Sequence, residues 1–449
     1  MTSNAIDCVS PNDGRLLGRV PVTTSADLAQ TLERLQDRVV PWELRASVLR
    51  ALAQSIRAAK QTLANGIIDE LGKTREEADG EVDYACTFLD AAANWVDGAQ
   101  RESAPAGMTG VWSVPIGLAC LVTAYNDPLA GITRKIAPAI AAGCPVIVKP
   151  SPLGAQCALQ LAALLPREAV AHIQFAFLDD SRDVARLLAA RGVAIVSMTG
   201  STAAGRAIAA AAALRPIPAV LELGGNCPLV VFPDADLPRA ARDLLDRKVR
   251  AAGQACSSVN RVLVHADVFA QFTEEVSRLL PGYVCGRSDR AGVTYGPLRT
   301  QSAVARLDAL EARCVAEGAA LLARAPLQDQ IGGAFCRPLS IVVTHEPSIL
   351  DSEETFGPLL LLKPFRDDAE LATELARNRQ NLAAYLYGAH AREFLATRPA
   401  LRFGSIGFGT TRIQGADVPT GGFGDAGYGR EGGAWGIEAF RTTINLRSA

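Results

Sequence analysis

The segment Val114–Ser151, VPIGLACLVTAYNDPLAGITRKIAPAIAAGCPVIVKPS, decides how this chain folds. It opens on an apolar, β-branched run that reads as strand. It passes through KIAPAIAAG, which reads as a helix with a glycine stop, and ends in a buried strand, CPVIVKP. The rhythm continues downstream. QCALQLAALL is helical, VAIVSMTG is another buried strand, GRAIAAAAAL is a helix and PAVLELGG a strand. Strand and helix alternating in this way predict an α/β fold with a parallel sheet.

Outward from this block the pattern changes twice. Before it, residues 25 to 100 place apolar side chains at three- and four-residue spacing and read as helices, as in ADLAQTLERLQDRV. After it, a second α/β stretch runs from about Asn226 to Thr420, with helices such as LPRAARDLLDRKVRAAG. The tail GGFGDAGYGREGGAWG is glycine-rich and leads to TTINL, a short strand candidate.

Composition excludes several classes. The 449 residues are 20% charged and 49% hydrophobic, with a net charge of -2, so nothing favours nucleic acid or an anionic membrane surface. The ten cysteines form no CxxC pair and the four histidines no HxxxH, so no metal site is expected. Scattered thiols suggest a reducing cytoplasm. The N-terminal residues carry no charged-then-apolar run, so no signal peptide is expected. The longest apolar run, Ile136–Val148, is broken by two prolines and a glycine and is too short to span a bilayer.

Five stretches carry chemistry. LGKTREEA holds Gly72-Lys73-Thr74, but residue 67 is Ile where a phosphate loop needs glycine, so a helix–turn–helix is expected there. VAIVSMTGSTAAGRAI joins a strand to a helix near Ser201, with Gly200 and Gly205 flanking the turn. Such a turn offers free N–H groups and a helix dipole to an anion, or is an ordinary connection. Lys149 closes a buried strand, where α/β sheets bind ligands, although taken alone it reads first as a strand-end lysine that snorkels to solvent. Glu222 ends the strand of LELGGN, where burial would raise its pKa toward that of a general base. In GQACSSVNR, Cys256 follows a glycine-containing turn whose backbone donors could stabilise a thiolate, or is an inert core cysteine, the default for a thiol taken alone.

Together these motifs, with EETFGPLLLLKPF and PTGGFGDAGYGREGG, resemble the aldehyde dehydrogenase superfamily from about residue 110 onward, in the family's order. The resemblance implies a Rossmann-like cofactor domain (1–99 and 117–224), an α/β catalytic domain (225–420) and a small β oligomerisation element (100–116 and 421–449). It implies that Cys256 is the nucleophile, that Asn126 and the Cys256 N–H form the oxyanion hole, and that Glu222 is the general base. Lys135 helps fix that site. Lys149, Gly200, Ser201, Gly205, Leu223, Glu354 and Phe356 are assigned to the cofactor, NAD or NADP with NAD favoured. A homodimer or homotetramer is implied.

Some positions depart from the family's common pattern. Asp127 and Arg134 stand where the substrate tunnel is often aromatic, and Thr420 replaces a common phenylalanine. With Ser257, these four are the substrate candidates. The tunnel reads as polar, and the expected substrate is a short polar or anionic aldehyde, its acid group held by Arg134. Alternatively Arg134 pairs with Asp127 and meets no substrate. The alternative activities are a CoA-acylating aldehyde dehydrogenase and an enzyme for aromatic or aliphatic aldehydes.

Overall fold

The helical region before the sheet consists of Ser25–Leu35, Trp42–Ala58, Lys60–Leu71 and Arg75–Gly98. The computed structural model describes residues 5–99, 109–178, 181–328 and 335–448. Gly72 ends the third helix with φ +70°, where a Cβ would lie 2.6 Å from Pro297. Thr74 and Glu77 then cap the fourth helix reciprocally. The GKT stretch is therefore the expected helix–turn–helix, and its Lys73 turns into the protein.

The quoted block builds a six-stranded sheet. Its order is Gly427–Tyr428, Ala219–Glu222, Val193–Thr199, Leu118–Val122, Val146–Lys149 and Ile173–Phe175. All pairs are parallel except the first. Leu118–Val122 and Val146–Lys149 are buried at every position, as a sheet covered on both faces requires. The covering helix Ala130–Ala142 ends at Gly143, φ +97°.

A seven-stranded sheet follows, in the order Ala320–Arg324, Ser340–Val343, Leu359–Phe365, Val259–His265, Cys227–Val231, Ala383–Tyr387 and Ser405–Phe408. Only its first pair is antiparallel. Each sheet carries its own apolar core. The fold is thus two parallel-sheet units, as the alternation predicts.

The glycine-rich tail is shared among three places. Phe423–Gly424 pairs with Gln380–Asn381, Gly427–Tyr428 joins the first sheet beside Glu222, and Arg441–Leu446 pairs with Gly110–Pro115 in a separate ribbon. Gly427 can reach Glu222 because it has φ +107° and no side chain. A Cβ there would sit 1.9 Å from the Leu221 carbonyl oxygen. No helix among the described residues is long and apolar enough to cross a membrane.

Candidate active site

Cys256 lies between the helix Leu237–Val249 and the strand Val259–His265. The turn that delivers it is strained. Ala251 and Ala252 have φ +50° and +53°, and each such residue costs about 1–3 kcal/mol. Hydrogen bonds hold it. The Ala251 N–H donates to Glu77 Oε1 at 2.6 Å. Gln254 donates to the Ala251 carbonyl and accepts from the Tyr125 hydroxyl and the Arg299 N–H. Gly225 makes room, since a Cβ there would lie 2.4 Å from the Cys256 carbonyl oxygen.

The strand ends of the first sheet supply the rest. Glu222 ends its strand almost fully buried, and its Oε1 makes no hydrogen bond to a described residue. Burial, and then the charge of Glu431, push its carboxyl up to about 8, against the pull of Lys135 and Arg134. Lys135, 1% exposed, donates to Ser197 Oγ at 3.0 Å and forms an ion pair with Glu431. Asn126 follows the strand Leu118–Val122 and lines the cavities on both sides of Cys256.

The Cys256 environment differs from the thiolate-stabilising turn expected from sequence. Burial, and then the Glu222 carboxylate, push the thiol up to about 12, with Arg134 opposing. Local backbone donors alone would favour a thiolate, but burial by distant segments, and then the carboxylates they bring, outweighs them. Loss of the thiol proton therefore needs an acceptor.

One cavity, of about 840 Å3, runs from Cys256 along the carboxyl ends of the first sheet. Asn126, Lys149, Gly200, Ser201, Glu354 and Phe356 line it. Ser201 caps the helix Thr202–Ala213, accepting from the Ala204 N–H at 3.2 Å, so that helix directs its N-terminus at the cavity. Gly224 lets Glu354 enter, and Glu354 Oε1 accepts from the Gly225 N–H at 3.3 Å. Burial pushes the Glu354 carboxyl up to about 7. Phe356 is held at φ +40°. Gly205 and Leu223 lie outside the lining. A Cβ on Gly205 would come 2.3 Å from Leu223, so the pair seats the helix on the sheet.

The second cavity opens on the other side of Cys256. Asn126, Asp127, Arg134, Arg247, Arg250 and Ser257 are among its lining residues. Arg134 stacks over the rings of Phe88 and Tyr84 at 4.9 and 5.7 Å, and its buried Nε has no partner among the described residues. It forms no ion pair with Asp127, whose Oδ1 accepts from Lys73 at 2.7 Å. The Ser257 hydroxyl bonds to Arg247 and accepts from Gln414 at 3.1 Å. Thr420 lies outside both cavities and bridges to the backbone of Glu431.

Sequence reasoning missed Lys73, Arg247, Arg250 and Glu431. Arg250 had a usable signal, six residues before the nucleophile. The other three act through contacts 8 to 296 positions away in sequence.

The pattern matches known proteins throughout. The sequence profile described as aldehyde dehydrogenase family covers residues 1–445. The chain is 32% identical to succinate-semialdehyde dehydrogenase [NADP(+)] of Escherichia coli, over 97% of this chain and 92% of that protein. It is 32% identical to a non-phosphorylating aspartate-semialdehyde dehydrogenase of Halomonas elongata, over 96% and 90%. The crystal structure of succinate-semialdehyde dehydrogenase from Burkholderia pseudomallei superposes with a TM-score of 0.91 at 32% identity, covering 98% of this chain and 93% of that one. The chain belongs to the aldehyde dehydrogenase family and is an NAD(P)-dependent oxidoreductase acting on the aldehyde group.

Proposed function

We propose that the protein oxidises a short acidic aldehyde to the corresponding acid at Cys256. The observation that carries this reading is the position of Cys256 between an 840 Å3 cavity suited to a dinucleotide and a cavity lined by Arg134, Arg247 and Arg250.

The first cavity fits NAD or NADP. It is large, Gly200 and Gly224 are among its lining residues, and a helix N-terminus capped by Ser201 faces it, as a pyrophosphate requires. Lys149 and Glu354 would hold the riboses and Phe356 would pack beside the nicotinamide. When bound, the cofactor supplies the hydride acceptor. Glu354 is the only acidic residue lining that cavity among those described. Ser151 and Pro152 lie beyond Lys149, so a 2′-phosphate meets no negative charge there, and either cofactor is accommodated. The unit of residues 1–99 and 117–224 is the cofactor domain in this reading, and 225–420 the catalytic domain. The ribbon Gly110–Pro115 with Arg441–Leu446 exposes Val111 and Ile444 and is the oligomerisation element.

Chemistry at Cys256 follows from its neighbours. The thiol proton passes to the Glu222 carboxylate, and the sulfur attacks the aldehyde carbon. Negative charge then forms on the carbonyl oxygen. The Asn126 amide and the Cys256 N–H, neither engaged by another described residue, are the donors for it, each worth roughly 3 kcal/mol in the transition state. Loss of hydride leaves a thioester on Cys256. Glu222, once it has released the thiol proton to solvent, then takes one from the water that attacks the thioester carbon. Its raised pKa suits this cycle, because the group exchanges protons near neutrality. Lys135 and Glu431 fix the ground beneath it.

The acid group of the substrate would sit against Arg134, with Arg250 beside it. Arg134 is half-buried, stacked and left with an unpaired Nε, and two relatives act on aldehydes that carry a carboxylate. The test is turnover of a panel of acidic, hydroxylated, aliphatic and aromatic aldehydes, followed at 340 nm with NAD and with NADP. Short acidic aldehydes should have the highest kcat/KM. Preference for aromatic or long aliphatic aldehydes would overturn the substrate assignment, and a thioester product formed faster with CoA would overturn hydrolysis.

A further inference from the structure

The cavity beside Cys256 is not of one sign. Facing its arginines is Asp127, a carboxylate that an acid-bearing substrate alone would not call for. Lys73 Nζ donates to Asp127 Oδ1 at 2.7 Å and to Glu81 Oε2 at 2.6 Å. One ammonium thus serves two carboxylates and cannot neutralise both. Glu81 is 2% exposed and is further engaged, accepting from the Leu129 and Ala130 N–H groups. Asp127 is different. Its side chain is 33% exposed, it lines the cavity, and its Oδ2 accepts no hydrogen bond from a described residue. Burial opposes its charge, yet Lys73 and Arg250 outweigh burial and hold it well below the usual carboxylate range. Lys73 therefore holds an ionised acceptor in the cavity lining and leaves its second oxygen without a partner among the described residues. Asp127 and Asn126, adjacent in the chain, both line the cavity that reaches Cys256.

We infer that Asp127 selects aldehydes carrying, besides an acid group, a hydroxyl or ammonium donor within two carbons of the carbonyl. This rests on the acidic-aldehyde reading above and narrows it. A charged acceptor placed opposite arginines rewards a dipolar substrate and penalises one that brings negative charge alone.

The experiment compares kcat/KM for three four-carbon acid aldehydes. Succinate semialdehyde lacks the donor, malate semialdehyde carries a hydroxyl and aspartate semialdehyde an ammonium. The wild-type protein should prefer at least one donor-bearing aldehyde by about tenfold or more. Asp127→Ala should bring the three within about twofold. The near-isosteric Asp127→Asn keeps a partner for Lys73 and serves if the alanine variant does not fold. It should lose the ammonium preference and keep part of the hydroxyl preference. A wild-type protein without preference, or a preference unchanged in both variants, overturns the inference while leaving acidic aldehydes as substrates. Turnover of neutral aldehydes only would instead overturn the reading on which it rests.

Discussion

The two cavities that meet at Cys256 differ in what their walls are made of. The proposed cofactor side is lined mainly by small and apolar residues, with Lys149, Arg306 and one half-buried acid, Glu354, among them. The other side is charged, with three arginines, an aspartate and a lysine behind it. A further contrast lies between two carboxylates that act on Cys256, neither of them in the larger cavity's lining. Glu222 is pushed up to about 8 by burial and a neighbouring acid, whereas Asp127 is held ionised by cations. The same functional group becomes a proton carrier in one place and a fixed charge in the other. In the reading proposed above, the difference separates proton transfer at Cys256 from the choice of aldehyde.

Removing what both sides share should have the largest effect. Cys256→Ala is expected to lower kcat roughly a million-fold, as loss of an enzymatic nucleophile does elsewhere. Activity surviving in that variant, measured at 340 nm, would mean that the cavities meet at the wrong residue. Glu222→Gln should lower steady-state turnover by roughly 10^2–10^4-fold. Because the Glu222 carboxyl stands near 8, its ionised form grows as pH rises through 7 to 9. Wild-type kcat should therefore rise across that interval, and the Gln variant should lose the limb. A limb that persists belongs to another group.

A crossed pair of variants tests whether the two sides are independent. Arg134→Met should lower kcat/KM for acidic aldehydes about 10- to 150-fold, the worth of a charged hydrogen bond, and spare neutral ones. Pro152→Glu should lower kcat/KM with NADP by about tenfold through charge repulsion and leave NAD within about twofold. If Arg134→Met left KM for acidic aldehydes unchanged, the arginine would be structural. If each variant disturbed both substrates, the separation of the two sides would fail.

Much of this was legible before the fold was known. Strand–helix alternation around Val114–Ser151 named the architecture because a parallel sheet must bury both faces and must be recrossed by helices. The strand-end positions of Lys149 and Glu222 and the turn at Ser201 follow from the same periodicity. Gly205 and Leu223 were each assigned to the cofactor, and their contact with one another was not legible, because it depends on how closely the helix seats on the sheet.

The sequence by itself determined the alternation, the nucleophile's turn and the order of the motifs, since each is written in residues close together along the chain. Tertiary structure alone decided the electrostatics. Lys73 reaches Asp127 across 54 positions, and Lys135 reaches Glu431 across 296. The tail glycine at 427 enters the first sheet beside Glu222. Charge acts through space, in a medium whose polarity burial sets, so the protonation state of Cys256, Glu222 and Asp127 becomes defined only when segments distant in sequence close around them.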